Sequence, residues 1–168
     1  MSDIVTNYNK FKKGWTGGLP ETPCGFGSKM SSTQAQRDWL PSLVKKYGIK
    51  TVADIGAGDL NWIPHVKWDV EYTPYDLIPR HESVTRLNIL EEVAPKVDML
   101  MCLWVLNHMP FEQARLAFQN LRESGSKYLL MTHRKKWELE QPEELNQDYI
   151  DMIVLDKKKG DTLRLIKL

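Results

Sequence analysis

The run Ile49-Lys50-Thr51-Val52-Ala53-Asp54-Ile55-Gly56-Ala57-Gly58 constrains this chain more than any other. Apolar and β-branched residues that stop at paired glycines read as a buried strand entering a tight turn. Similar short runs follow at 70–78, 83–89, 97–106 and 127–133, and the tail 148–168 reads as two strands around Lys157-Lys158-Lys159-Gly160, a hairpin. Helical spacing marks 32–48, with Ser32 or Thr33 as the cap, Gly48 as the stop, and Pro41 predicting a kink or a second start. It also marks 111–125, where Pro110 suits the first turn, Gly125 the stop, and Phe111, Ala114, Phe118 and Leu121 one face. Strands alternating with helices or loops predict an α/β fold. Its sheet is open, mostly parallel and seven-stranded, with a C-terminal antiparallel hairpin and helices on both faces.

The length of 168 residues suits one domain: a loop-rich lead-in over 1–30 and a single folded unit over 31–168. Lys plus Arg number 23 and Asp plus Glu 22, so no global field draws the chain to nucleic acid or an acidic membrane. Nucleic acid is therefore an unexpected partner, though a local patch keeps it open. Cys24 and Cys102 have neither disulfide-type nor metal-type spacing, so two reduced thiols, no metal and a cytoplasmic location are expected. No segment has the length of a signal core or a membrane span. A monomer or a homodimer fits equally.

In an open α/β sheet the ligand sits beyond the carboxyl ends of the strands. A dinucleotide turn would place a third glycine where Asn61 stands, and would avoid an acid such as Asp59 beside a pyrophosphate. Asp54 before the glycines and Asp59 after them suit a cationic ligand instead. Asp59 also reads as a cap for the next turn. About twenty residues on, Asp76 ends the second strand, where a carboxylate accepts both ribose hydroxyls. An adenosine with a cationic substituent and no phosphates meets these demands, and S-adenosylmethionine (SAM) is such a molecule.

From about Gly25 to Leu168 the chain resembles the class I SAM-dependent methyltransferases, whose fold is Rossmann-like. The motifs are Val52-Ala53-Asp54-Ile55-Gly56-Ala57-Gly58, Tyr72 to Pro79 and Val97 to Met109. It looks closest to a branch of small bacterial and phage methyltransferases. The marks of that branch are Gly25-Phe26-Gly27-Ser28, Pro95-Lys96-Val97-Asp98 running to Cys102, and Ser124-Gly125-Ser126-Lys127-Tyr128. By that resemblance Asp54, Gly56 and Gly58 hold the methionine part of SAM, and Asp76 holds the ribose. Leu77 and Ile78 flank the adenine, with Asn88 and Ile89 beside its amino group. Leu103 and Trp104 line the sulfur, and the loop of Gly25, Gly27 and Ser28 closes over the carboxylate.

The resemblance implies methyl transfer from SAM to an oxygen or nitrogen of a small polar acceptor. Leu103-Trp104 stand where the branch often has Arg-Asp, and the segment 134–148, where relatives recognise acceptors, is short. A non-catalytic SAM-binding protein is therefore a rival reading, as is a methyltransferase acting on RNA or protein. Asn107-His108-Met109-Pro110 does not fit the stretch expected of a nucleic-acid amino-methyltransferase. His108 faces the mouth of the sheet as a candidate general base or a structural histidine. Trp62 reads as a ligand stack or as packing. His133 and Arg134 are candidate acceptor contacts, and Arg134 to Trp137 and Lys157 to Lys159 read as solvated charge.

Overall fold

The computed structural model describes residues 20–134 and 148–168. Within them the strands are β1 (Thr51–Ile55), β2 (Glu71–Asp76), β3 (Thr85–Arg86), β4 (Met99–Cys102), β5 (Tyr128–Arg134), β6 (Tyr149–Asp156) and β7 (Asp161–Lys167). They form one sheet in the order β3-β2-β1-β4-β5-β7-β6. The first five are parallel, and β7 runs antiparallel between β5 and β6. Two helices, α1 (Gln34–Tyr47) and α2 (Phe111–Glu123), cover opposite faces.

The two-residue period of a strand sorts the apolar side chains between those faces. Met99 and Met101 of β4 join Leu40, Leu43 and Val44 of α1, together with Leu130 of β5 and Leu163 and Leu165 of β7. Leu100 and Cys102 of β4 join Ala114, Ala117, Phe118 and Leu121 of α2, with Ala53 and Ile55 of β1 and Leu129 and Met131 of β5. Asp54 follows Ala53 and so lies on the side of β1 that Val52 turns toward α1, 5 % exposed.

Several local expectations are corrected. Pro41 does not start a second helix; α1 runs through it, giving up only the bond to the Arg37 carbonyl. Thr33 is the cap residue, but its hydroxyl donates back to the Lys29 carbonyl (2.9 Å) and accepts no helix amide. Pro110 precedes α2 in extended conformation, so Phe111 begins the helix before its face reaches the sheet and is 45 % exposed. Ala117 and Asn120 complete the buried face instead. Pro74 also lies within β2, two residues before its end. The Tyr75 carbonyl points to β1, so the nitrogen of Pro74 points the other way, and β3 pairs only from Tyr75 onward. A missing donor costs nothing there.

The amino ends of the strands are braced. Asp98 accepts the amides of Lys50 (2.9 Å) and Thr51 (3.1 Å) and the ammonium of Lys127 (2.7 Å), tying β1, β4 and β5 together. These bonds hold its carboxyl down at about 2, the Lys127 bond contributing most. Beside it the Ser126 hydroxyl accepts the Val97 amide (3.0 Å) and donates to the Pro95 carbonyl (3.3 Å).

Between β1 and β2, and between β2 and β4, the chain makes turns and a single 3-10 turn at Ile63–His65 in place of full helices. The carboxyl ends of β1, β2 and β4 are thus left open on one rim. Residues 1–19 of the lead-in, Lys135 to Trp137 and most of the short segment 134–148 lie outside the described residues.

Candidate active site

The turn after β1 has two glycines at positive φ, where a side chain would be strained and crowded. Gly56 has φ +95°, and a Cβ there would come within 2.2 Å of Val105 Cγ2. Gly58 has φ +65°, and a Cβ would meet the Cys24 sulfur at 2.9 Å. Backbone conformation and close packing against the chain itself impose both residues. One of these neighbours follows β4 and the other belongs to the lead-in. The amides of Gly56 and Ala57 both donate to the Tyr75 carbonyl (2.8 and 3.0 Å), which fixes the turn against β2.

That geometry brings two carboxylates together. Asp54 accepts the Tyr72 hydroxyl at 2.7 Å. Burial, only partly offset by that bond, pushes its carboxyl up to about 7, and the charge of Asp76 adds to the rise. Asp76 accepts the Gly58 amide on one oxygen (2.8 Å) and the Ile78 amide on the other (2.9 Å). The Leu77 amide also acts on this carboxylate, whose two oxygens are the acceptors a vicinal diol needs. Burial raises the Asp76 carboxyl too, against these bonds and the nearby Arg80.

Both carboxylates line a cavity of about 930 Å³ along the open rim, at the upper end of the range for small-molecule sites. Of the residues singled out from sequence, it is also lined by Gly25, Gly27, Ser28, Gly56, Gly58, Leu77, Ile78, Asn88, Ile89, Leu103, Trp104 and His108. Asp59 is the exception: it stands outside the lining, and its carboxylate accepts the Asn61 amide within the turn (3.3 Å). Asn88 caps its own turn, its side-chain oxygen taking the Leu90 amide (3.2 Å). Trp62 lines the cavity and also packs on the α1 side of the core.

The lead-in loop is fastened to this turn. The Asn61 amide group donates to Glu21 (2.9 Å) and to the Ser28 carbonyl (2.9 Å), so the residue that breaks the dinucleotide pattern anchors the loop of Gly25 to Ser28. Gly27 in turn packs on the Trp104 ring, where a Cβ would lie 3.1 Å from Cδ1. Trp104 itself is held at φ +59°, a strained conformation for an aromatic residue, with its amide bonded to the Thr132 hydroxyl (2.9 Å). The Arg134 guanidinium sits 5.0 Å from the centre of its ring and pairs with Asp161 (3.1 Å).

His108 lies in a one-turn helix after β4, partly buried on the cavity wall. Burial, and next the charge of Arg134, push its imidazole down to about 4, so the ring is neutral at pH 7 and weakly basic. The Cys24 thiol is raised to about 11 by burial and the charge of Asp59, and burial raises the Cys102 thiol further. Both stay protonated, as expected of packing residues. His133 is buried within β5 away from the cavity, unlike its neighbour Arg134; Lys159 borders the cavity with its side chain 70 % exposed, as a solvated turn residue. Gln36 and Asn107 also line it and were not singled out from sequence. The one available signal for Gln36 was its place on the buried stripe with Leu40, Leu43 and Val44. Among the described residues, no cluster of side chains could hold a metal ion, and no helix is long and apolar enough to cross a membrane.

No family model matches the sequence, and no curated protein matches it. Solved structures do. One is a SAM-dependent methyltransferase from Clostridium acetobutylicum: TM-score 0.62, 9 % identity, covering 99 % of this chain and 98 % of that one. Another is the magnesium protoporphyrin IX methyltransferase ChlM from Synechocystis, crystallised with SAM: TM-score 0.61, 14 % identity, 96 % and 90 % covered. A third is the N-methyltransferase NodS from Bradyrhizobium japonicum, crystallised with S-adenosylhomocysteine: TM-score 0.60, 13 % identity, 81 % and 87 % covered. With its seven-stranded sheet and reversed β7, the chain thus has the fold of the class I SAM-dependent methyltransferases.

Proposed function

We propose that the chain is a SAM-dependent methyltransferase acting on an oxygen or nitrogen of a small polar acceptor. The observation that carries this reading is the convergence of Asp54 and Asp76, buried and both raised in pKa, on one cavity beside a glycine turn. Two such carboxylates in one cleft repel each other and favour a ligand that brings positive charge and hydroxyl donors. SAM, which supplies an activated methyl group, has both. Asp54 would hold its cationic methionine end and Asp76 its ribose. Leu77, Ile78 and Ile89 give the adenine an apolar slot with Asn88 at its edge. The Gly25 to Ser28 loop covers the other end, fastened in advance by Asn61. Leu103 and Trp104 form the wall facing the reacting centre. Positioning and exclusion of water are the main demands of an in-line methyl transfer.

The first experiment is a calorimetric titration with SAM and with S-adenosylhomocysteine. Micromolar binding of both is expected, and binding of neither sinks the reading. A second reading, a SAM-binding protein without turnover, is favoured by the apolar Leu103 and the strained Trp104 at the head of β4. Tight binding without methyl transfer to small molecules, RNA or protein would select it.

A further inference from the structure

Among the described residues no cation offsets the charge of Asp54. The charge that acts on it is the Asp76 carboxylate of β2, which opposes its ionisation. Asp38 of α1, Cys24 of the lead-in and Arg80 beyond β2 line the same cavity and do not shift it, and burial keeps the Cys102 thiol of β4 protonated. One group favours the charged form: the Tyr72 hydroxyl, which donates to Asp54 Oδ2 at 2.7 Å.

Strand register accounts for this bond. Asp54 lies opposite Pro74 and Val52 opposite Tyr72, so Tyr72 stands two residues toward the foot of the sheet, on the same face. Two residues span about 6.6 Å along a strand, a distance that a phenol covers, whereas Pro74 has no polar side-chain group to offer. Trp68 packs against the Tyr72 ring, centroids 5.9 Å apart, and both belong to the core on the α1 side, which holds the ring in that direction. Burial, and next the charge of Asp54, push the phenol far above its usual range, so it keeps its proton and stays a donor.

We propose that Tyr72 is a positioning residue of the cofactor site: its hydroxyl occupies Oδ2 of Asp54, supports the charge of that carboxylate, and leaves Oδ1 for the ammonium of the bound cofactor. This rests on the methyltransferase reading and adds a residue to its site. Tyr72 does not line the cavity, so it acts on the ligand through Asp54. The carboxylate attracts an ammonium only when ionised, so affinity rises as pH rises through the titration of Asp54. Without the hydroxyl the Asp54 carboxyl, already near 7, goes higher. A hydrogen bond to a charged group moves such a titration by about one to two pH units.

Tyr72→Phe keeps the ring and removes the hydroxyl. Calorimetric titrations of the whole chain with S-adenosylhomocysteine, at steps from pH 6 to 9, read the consequence. The variant's affinity should be lower by about fivefold or more at pH 7, and the gap should narrow to about twofold or less at pH 9. The amino group of the ligand titrates alike for both proteins and drops out of their ratio. Adenosine, which lacks that group, should bind the two proteins within about twofold of each other at every pH, because the hydroxyl acts only through Asp54. In an Asp54→Asn background the same Tyr72→Phe change should leave no pH trend. A loss equal at all pH values, a pH trend that survives in the Asp54→Asn background, or unchanged affinity makes Tyr72 a packing residue and overturns the proposal. Failure of the wild type to bind S-adenosylhomocysteine at any pH would instead remove the methyltransferase reading, and this inference with it.

Discussion

Asp54→Asn should make the empty protein more stable and a poorer binder, and the size of both effects follows from its surroundings. The carboxyl is 5 % exposed and titrates near 7 in the folded chain, against 3.8 for an unperturbed aspartate. The folded state therefore binds this proton more tightly than the unfolded state does. Stability from this group is fully present below about pH 3.8 and is lost as pH rises through about 7. By pH 8.5 the ionised carboxylate costs the native state up to about 4 kcal/mol. Asparagine has the same shape, no charge, and an oxygen to accept the Tyr72 hydroxyl. Urea denaturation of both proteins at steps from pH 5 to 8.5 measures the difference. The wild type should lose about 2–3 kcal/mol relative to the variant across that range, and the variant should be the more stable at the alkaline end. Its affinity for SAM should fall by about 1.5–3 kcal/mol, the value of a hydrogen bond to a charged group. Parallel pH profiles would refute the argument, because they would mean Asp54 is already ionised and well solvated in the empty protein.

Asp76→Ala should weaken SAM binding by about 1.5–3 kcal/mol in the same calorimetric titration, and unchanged affinity would remove the ribose assignment. Gly56→Ala places a methyl group against Val105 at positive φ and should cost about 1–3 kcal/mol in urea denaturation. Adding Val105→Ala should recover only part of that loss, since the backbone strain remains. Asp98→Asn weakens the brace at the foot of β1, β4 and β5 and should cost about 1–2 kcal/mol while leaving SAM affinity unchanged. Because bonding lowers the Asp98 carboxyl to about 2, its contribution is present above pH 4 and fades as pH falls through 2.

The mostly parallel sheet, its closing hairpin and its two covered faces were legible because β1, β4 and β5 are short apolar runs whose successive residues face opposite sides of the sheet. Asp54 and Asp76 were legible as a pair because each ends a strand on the same rim. Local departures came from residues whose effect depends on neighbours distant in sequence. Pro41 is tolerated inside α1, Phe111 begins its helix one turn too early to be buried, and Asp59 serves its own turn. Asn61 looked like the absence of a glycine, and only its bonds to Glu21 and Ser28 reveal an anchor. Gln36 was hidden for a simpler reason: on a helix face a buried glutamine reads as a gap in an apolar stripe.

Two sequence runs singled out above, Pro95 to Asp98 and Ser124 to Lys127, meet each other at the foot of the sheet. The cavity is at the opposite end. Chains that keep this foot can exchange Leu103, Trp104 or Arg134 for other residues and still fold, because nothing in the brace touches the rim. Substrate choice can then drift between descendants faster than architecture does. Two proteins with the same Asp98 and Ser126 should be expected to share a scaffold before they share a reaction.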